Sequence, residues 1–374
     1  VRKLNVALVA PTLDILGGQA VQADRLLRQW NGDAEVEAWL VPVNPPFPPP
    51  LRFARSIKYL RTIVNELIYI PTLVVHLRRA DVVHIFSASY VSFLLAPLPA
   101  ILIARLLGRP VVMNYRSGEA RDHLARSLVA RWALRSVASN VVPSRFLVDV
   151  FEGFGIKANM IPNLVDMNRF AFREREQLRP RLLSTRNFDG LYNVACTIRA
   201  FHVVQQRFPE ATLTLVGGGK EEERLRALVR ALGLRGVTFA GPVDPDEIAR
   251  SYADHDIYLQ SPDIDNMPTS VIEAFACGLP VVSTEAGGVP AILTHRVHGL
   301  LAPLGDYETL GQHVVELVTT PAAARQYVRA ARESIQGCTW AAVRDRWLNA
   351  YRSTLEAATR QQAGGKLANP VSPQ

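Results

Sequence analysis

At 374 residues, with 48% hydrophobic and 20% charged residues, the chain is long enough for two domains with full cores and is not a fibrous or low-complexity protein. Residues 1–164 hold 19 Lys/Arg against 11 Asp/Glu, while 165–374 hold 23 of each. The whole net charge of +8 therefore lies in the first half, and it calls for an anionic partner there: a membrane surface, an acidic acceptor or nucleic acid. Cys196, Cys277 and Cys338 are far apart, with no C-x-x-C and no neighbouring histidine cluster; this argues against a disulfide framework or structural zinc and for a reducing cytoplasm.

Apolar runs rich in Val and Ile alternate with longer segments of helical period, the pattern of a doubly wound parallel α/β architecture. The opening VRKLNVALVAP is basic and then apolar, too short in its apolar run for a signal peptide, and reads as a first buried strand near Val6–Ala10. Residues Leu13 to Gln19 then turn through Gly17-Gly18 into a helix ending at Trp30. A glycine pair opening a helix presents free N–H groups suited to phosphate oxygens, or it simply turns the chain. A strand at Ala38–Val43 runs into NPPFPPP at 44–50, which cannot continue a sheet. The segment Leu51–Ile70 reads as one helix carrying Arg52, Arg55, Lys58 and Arg61 at three-residue steps among Phe53, Ile57, Tyr59 and Leu67. It is either a basic amphipathic helix lying on anionic lipid or a solvated surface helix. The uncharged run Val82–Ala104 is the membrane-span candidate, and it divides instead into a strand (Val82–Phe86), a loop and a helix. Strands follow at Val111–Tyr115 and Asn140–Val142, and the first of them ends in a polar loop with Arg116, Glu119 and His123.

In the second half, Arg173–Arg181 reads as an exposed charged connector. The strand Arg181–Thr185 leads through Arg186 and Asp189-Gly190 into a helix, a strand at Ala211–Val216, and the loop Gly217-Gly218-Gly219-Lys220. After a further helix and a strand at Val237–Ala240 comes the stretch SPDIDNMPTSVIEAFACGLPVVSTEAGGVP at 261–290. A polar loop, a short helix, a strand-like segment and a glycine pair in such quick succession suit the carboxyl edge of a parallel sheet, where nucleotides bind. Asp265 and Glu273 stand eight positions apart. Either both line one cleft, or Ser270 to Glu273 is a capping box and Asp265 an Asx-turn residue. Helices at Tyr307–Thr319, Pro321–Ser334 and Trp340–Thr359 follow, the last packing back over the first domain through Trp340 and Trp347, and 361–374 reads as a loose tail.

The 261–290 stretch resembles the donor-site signature of the retaining, family-four glycosyltransferases of GT-B fold, E-G-x-P-x-x-x-x-E-A-x-A-x-G-x-P-V-V. Asp265-Asn266-Met267-Pro268, Glu273-Ala274, Ala276, Gly278 and Pro280-Val281-Val282 match it in order, with Asp265 for the first glutamate and Asn266 for the glycine after it. The resemblance implies that Asp265 faces the donor sugar and Glu273 the nucleotide ribose, with Asn266, Met267, Pro268 and Thr269 also at the donor. It implies that Arg186 neutralises the donor diphosphate. The partner lysine is missing, because Asp189 precedes Gly190, and Lys220 is the nearest second cation or else a solvated loop lysine. Gly17-Gly18 occupy the place of the family's N-terminal glycine loop. Arg116 stands where relatives carry a histidine near the reacting sugar, as a phosphate or acceptor ligand or an exposed loop arginine. The passage Val141–Phe170 is similar to the family's interdomain segment, with Leu164 for a glycine.

The fold this implies is α/β, two Rossmann-like domains facing a cleft: residues 1–164 on the acceptor side, 165–340 binding the donor, a helix 341–360 packing back on the first domain, and the tail 361–374. The implied activity is transfer of a sugar from a nucleotide-sugar to a hydroxyl acceptor, lipid-linked or an envelope or exopolysaccharide precursor. No metal or other cofactor is expected, since Asp263 and Asp265 nominally spell D-x-D but the resemblance assigns that loop to the sugar. Nucleic acid is not expected as a partner, for no basic motif with stacking aromatics is present. A GT-B sugar-nucleotide epimerase and a non-catalytic nucleotide-sugar-binding protein stay open as alternatives. The expected location is cytoplasmic, with peripheral attachment to the inner face of the membrane.

Overall fold

The computed structural model describes residues 2–15 and 17–367, with side chains to residue 360. It divides into two compact units, one made of residues up to Pro143 with Leu147–Ile161 and the stretch from Val343 on, the other of Ser144–Phe146 and Pro162–Ala342.

The first unit runs β1 (Leu4–Ala10), α1 (Gly18–Trp30), β2 (Val36–Pro42), α2 (Lys58–Leu77), β3 (Val82–Ser87), α3 (Tyr90–Leu95), α4 (Pro97–Leu106), β4 (Val111–Tyr115), α5 (Ala120–Arg126), α6 (Leu128–Ser136), β5 (Ser139–Val142), α7 (Arg145–Gly153) and β6 (Asn159–Met160). Its six strands are all parallel in the order β2-β1-β3-β4-β5-β6. β3 and β4 are buried at every residue, as central parallel strands covered on both faces must be, which is why they read as mostly apolar runs, broken by the buried His84, Ser87 and Asn114, rather than alternating ones.

The second unit runs β7 (Arg181–Thr185), α8 (Val194–Arg207), β8 (Thr212–Val216), α9 (Glu222–Ala231), β9 (Val237–Gly241), α10 (Ile248–Asp254), β10 (Ile257–Leu259), α11 (Thr269–Cys277), β11 (Val281–Thr284), β12 (Leu300–Ala302), α12 (Tyr307–Thr319) and α13 (Pro321–Ser334). The strand order is β12-β11-β10-β7-β8-β9, again all parallel. Apolar side chains fill both faces of this sheet, Leu182, Leu213 and Phe201 on one side and Leu183, Tyr258 and Phe275 on the other. The final helix, α14 (Trp340–Leu367), belongs to the first unit from Val343 on. Trp347 stacks on His84 with ring centroids 4.6 Å apart, Tyr351 OH meets His84 Nδ1 at 2.8 Å, and Arg344 pairs with Asp33 at 2.8 Å. Burial inside this aromatic cluster, with the Arg116 charge nearby, pushes the His84 imidazole down to about 3, so it stays neutral.

Four expectations are corrected. The segment 51–70 is not one helix: a 3-10 segment, Pro49–Ser56, ends where Ile57 adopts extended backbone (φ −106°, ψ 111°), and α2 starts afresh at Lys58 and continues to Leu77. Arg52 and Arg55 thus lie on a different element from Lys58 and Arg61. The run Val82–Ala104 divides into β3 and the helices α3 and α4, as its reading as strand, loop and helix expects, but it is not the membrane-span candidate: among the described residues the helix long and apolar enough by composition is α2, which buries Val64, Tyr69, Leu73 and Leu77 within the unit. The charged stretch 173–181 is not a free connector, because Arg175 is buried and ion-paired to Asp256 at 3.1 Å. Finally, α14 runs through the first half of the expected tail to Leu367, and 368–374 lie outside the described residues.

Candidate active site

In the second unit the candidate residues gather at the carboxyl ends of β7, β8, β10 and β11, the edge at which open parallel sheets bind ligands. Arg186 directly follows β7 and is buried. Its Nη2 donates to Asp265 Oδ2 at 2.5 Å, its Nη1 donates to Ser270 Oγ at 3.1 Å, and its guanidinium lies over the Tyr192 ring, 4.0 Å from the centroid. Burial opposes its charge, but Asp265, Tyr192 and Tyr258 outweigh that and hold its pKa above the ordinary arginine value. The site therefore keeps a permanent cation.

The loop carrying Asp265 is pinned from below by Gly287 and Gly288, which follow β11. A Cβ on Gly287 would collide with the Asp265 carbonyl, and one on Gly288 with that of Asn266. The Gly288 N–H donates to Asp265 O at 3.1 Å. The Gly217–Gly219 loop after β8 does the same for the other wall: its first and third glycines lie against the backbone of Arg186 and Phe188, with no room for side chains. Lys220 follows, exposed, on that turn.

Helix α11 starts at Thr269 behind Pro268, its N-cap, with no side-chain cap hydrogen bond. Of the two readings of this stretch, the capping box is not formed: Ser270 sits inside the helix and its hydroxyl serves Arg186 and Gln260 instead. Glu273, one turn on, is buried and accepts a hydrogen bond from Tyr252 OH at 2.8 Å, while Tyr252 OH also meets Thr185 Oγ1 at 2.9 Å. Met267 is buried, and its carbonyl accepts from Asn163 Nδ2 at 2.7 Å. Ser144 Oγ donates to Asn266 Oδ1. Two buried N–H donors at this edge, Arg186 Nε and Asn266 Nδ2, find no hydrogen-bond partner among the described residues. Each such group costs roughly 1–3 kcal/mol when left unpaired, which makes the two candidate donors to an acceptor-rich ligand. Asp263 and Asp265 do not converge: Asp263 accepts from Asn193 Nδ2 at 3.0 Å, and Asp265 is held by Arg186.

In the first unit, Gly17 caps α1 in extended backbone, φ −174° and ψ 165°, without a side-chain cap, and Leu16 lies outside the described residues. Nothing lies within 4 Å of where a Cβ on Gly17 or Gly18 would be. Among the described residues, no packing contact requires glycine at either position. Arg116 follows β4, half-buried, with its guanidinium 5.6 Å from the Phe86 centroid. Burial pulls it down to about 9. Next to it, Tyr115 OH meets His123 Nδ1 at 2.8 Å and Ser89 Oγ at 3.1 Å, and burial lowers the His123 pKa. Sequence reasoning missed Tyr252, Tyr192 and Gln260. No local signal marks them, because only the strand order brings β7, α10 and α11 together.

Two parallel doubly wound units, one with a buried cation and unpartnered N–H donors at its carboxyl edge, define a GT-B glycosyltransferase. Residues 16–169 match the family model Glycosyltransferase Family 4, and residues 168–334 match Glycosyl transferases group 1. The chain belongs to the GT-B glycosyltransferases of family 4 type and is an enzyme. It is 28% identical over 298 residues, 76% of this chain and 75% of the relative, to a GDP-mannose-dependent alpha-mannosyltransferase of Mycobacterium tuberculosis. It is 24% identical over 292 residues, 75% of this chain and 76% of the relative, to a phosphatidyl-myo-inositol mannosyltransferase of Mycobacterium leprae. Among solved structures, HepE of Anabaena in complex with UDP and glucose superposes with a TM-score of 0.70 at 16% identity, covering 94% of this chain and 100% of that one.

Proposed function

We propose that the enzyme moves a sugar from a nucleotide-sugar to a hydroxyl of a lipid-linked acceptor in envelope or exopolysaccharide synthesis, retaining the anomeric configuration and using no metal ion. The observation that carries this reading is the buried Arg186 guanidinium at the carboxyl edge of the second sheet, whose Nε, like Nδ2 of Asn266 on the loop that carries Asp265, has no hydrogen-bond partner among the described residues. Cleaving the bond from the anomeric carbon to the diphosphate sends the electron pair to a phosphate oxygen. Arg186 meets that growing negative charge, with Lys220 and the Gly17-Gly18 amides as further donors, so preorganised groups supply the stabilisation a metal gives elsewhere. The acceptor oxygen then bonds to the same face of the sugar, and its proton passes to the departing phosphate. In this reading Asp265 contacts the sugar and Glu273 the ribose hydroxyls. The lipid-linked acceptor is supported by the relative named for phosphatidyl-myo-inositol and by the confinement of the net positive charge to residues 1–164, which also favours peripheral attachment to an anionic membrane.

A thermal-shift panel of nucleotide-sugars tests the donor, since a ligand at 100 times its Kd stabilises by about 2.7 kcal/mol. EDTA should leave turnover unchanged, and loss of activity restored by magnesium would overturn the metal-free reading. Glu273→Gln should weaken donor binding about tenfold or more, the loss of a charge-assisted hydrogen bond, while the amide oxygen still accepts from Tyr252 and keeps the fold. Unchanged donor affinity with a lower Tm would make Glu273 a structural residue. Gly17→Ala meets open space in the protein, so its Tm should hold while donor affinity falls, because the added methyl occupies the phosphate approach. Equal affinity would remove Gly17 from the donor site.

A further inference from the structure

Open parallel sheets take their ligands at the carboxyl edge, yet the amino edge of the first unit's sheet holds a cleft of about 510 Å³. It lies where α4 runs into β4 and α6 runs into β5. Arg105 and Arg109 stand at the first junction and Arg135 at the second, with Ala357 and Ala358 of α14 as the remaining wall. Ligand clefts span roughly 300–1,000 Å³, so this one has room for a small molecule.

The lining carries three guanidinium groups and no carboxylate. An arginine at the end of a helix ordinarily meets the last carbonyls, but here other groups take most of them. The carbonyls of Ile103, Ala104 and Arg105 accept from the amides of Leu107, Arg109 and Gly108. Those of Ala133 and Leu134 accept from Ser136 Oγ and Asn140 Nδ2. The arginines are anchored in other ways: Arg109 Nη2 donates to Arg78 O at 2.5 Å, Arg135 Nη2 donates to Phe154 O at 2.7 Å, and Arg105 lies over the Trp132 ring, 5.6 Å from its centroid. Arg109 Nε is buried without a hydrogen-bond partner among the described residues, which makes it a candidate donor to a ligand. None of the three pairs with a carboxylate among the described residues, and Glu356, next to Ala357, pairs with Arg360 at 3.4 Å.

We infer that this cleft is an anion site for the phosphate groups of a free phosphorylated small molecule, separate from the donor site of the second unit. Guanidinium groups match phosphate oxygens in paired, charge-assisted hydrogen bonds, and anchored ones have less freedom left to lose on binding. Three cations without a counter-charge favour a ligand with more than one negative charge, such as a diphosphate. The small side chains of Ala357 and Ala358 leave the volume between α14 and the arginines open. None of these residues takes part in the sugar transfer proposed above, so the site stands whether or not that reading holds.

Isothermal titration calorimetry with inorganic pyrophosphate, on the full chain at low salt and in phosphate-free buffer, tests it. The parent should bind pyrophosphate, and more weakly as salt rises. The double change Arg105→Gln, Arg135→Gln should lower the affinity of one site about tenfold or more, the loss of charge-assisted hydrogen bonds. Ala357→Phe keeps every arginine, fills the cleft from an exposed position on α14, and should lower that affinity as much with Tm unchanged. It decides the matter even if loss of the Arg135 bond to Phe154 O unsettles the fold of the double variant. Arg186→Ala, which takes the cation from the donor site, should keep the cleft's binding. No binding by the parent overturns the inference, and so does parental binding in the Ala357→Phe chain. Loss of all binding in a folded Arg186→Ala chain also overturns it, because the anion would then go to the donor site alone.

Discussion

Arg186→Ala should lower turnover by about 10²-fold or more, the usual consequence of removing one preorganised donor from developing negative charge. The effect is large because the guanidinium is fixed before the donor arrives: Asp265, Ser270 and Tyr192 hold it on three sides, so little reorganisation is needed when the diphosphate departs. The same contacts separate chemistry from folding. Without Arg186, Asp265 loses its ion pair, and some loss of Tm is expected alongside lost turnover. Arg186→Lys restores a charge but neither the second arm to Ser270 nor a planar face on Tyr192, so it should recover Tm in part and turnover poorly. A lysine variant with parental turnover would show that only a point charge is needed there. An alanine variant with parental turnover at saturating donor would remove Arg186 from the chemistry.

Much of the fold is legible in the sequence because a parallel strand buried on both faces is mostly apolar. Val111–Tyr115 and Arg181–Thr185 stand where their apolar runs place them, and the glycine-bounded run at 281–284 is the strand it resembles. The break at Ile57 was not legible, since a helical spacing of arginines continues across it and only the backbone reveals the extended residue. At the site, residues inside the 261–290 stretch were visible as a group because they are close in sequence. Ser270 was visible too, but with the wrong partner: a capping box is a local pattern, while the hydroxyl in fact serves Arg186, 84 positions away. Tyr252, which donates to Glu273, lies on a helix with no motif of its own. Long-range polar pairs depend on strand order, and a single sequence does not encode that order locally.

Asp256 carries the clearest case of this kind, and Asp256→Ala should cost about 3–5 kcal/mol, the range for breaking a buried ion pair from one side. Its side chain is 2% exposed and takes Arg173, Arg175, Arg179 and Arg181 within 3.4 Å. Only Arg175 is itself buried. Burial, helped by Arg173, pulls Arg175 down to about 10, so at neutral pH it keeps its charge and the alanine variant would strand it. A simple pair could be replaced by two apolar residues at little cost, but Arg175 also donates to the carbonyls of Arg173, Cys277, Gly278, Tyr252 and His255. Removing it leaves those acceptors without that donor. The double change Asp256→Leu with Arg175→Met should therefore stay well below the parent in Tm rather than recover. Chemical denaturation of the three proteins decides the matter. Full recovery in the double variant would show that the guanidinium serves only to neutralise Asp256, whereas a persistent deficit assigns it to holding the end of α11, and with it Glu273, in place.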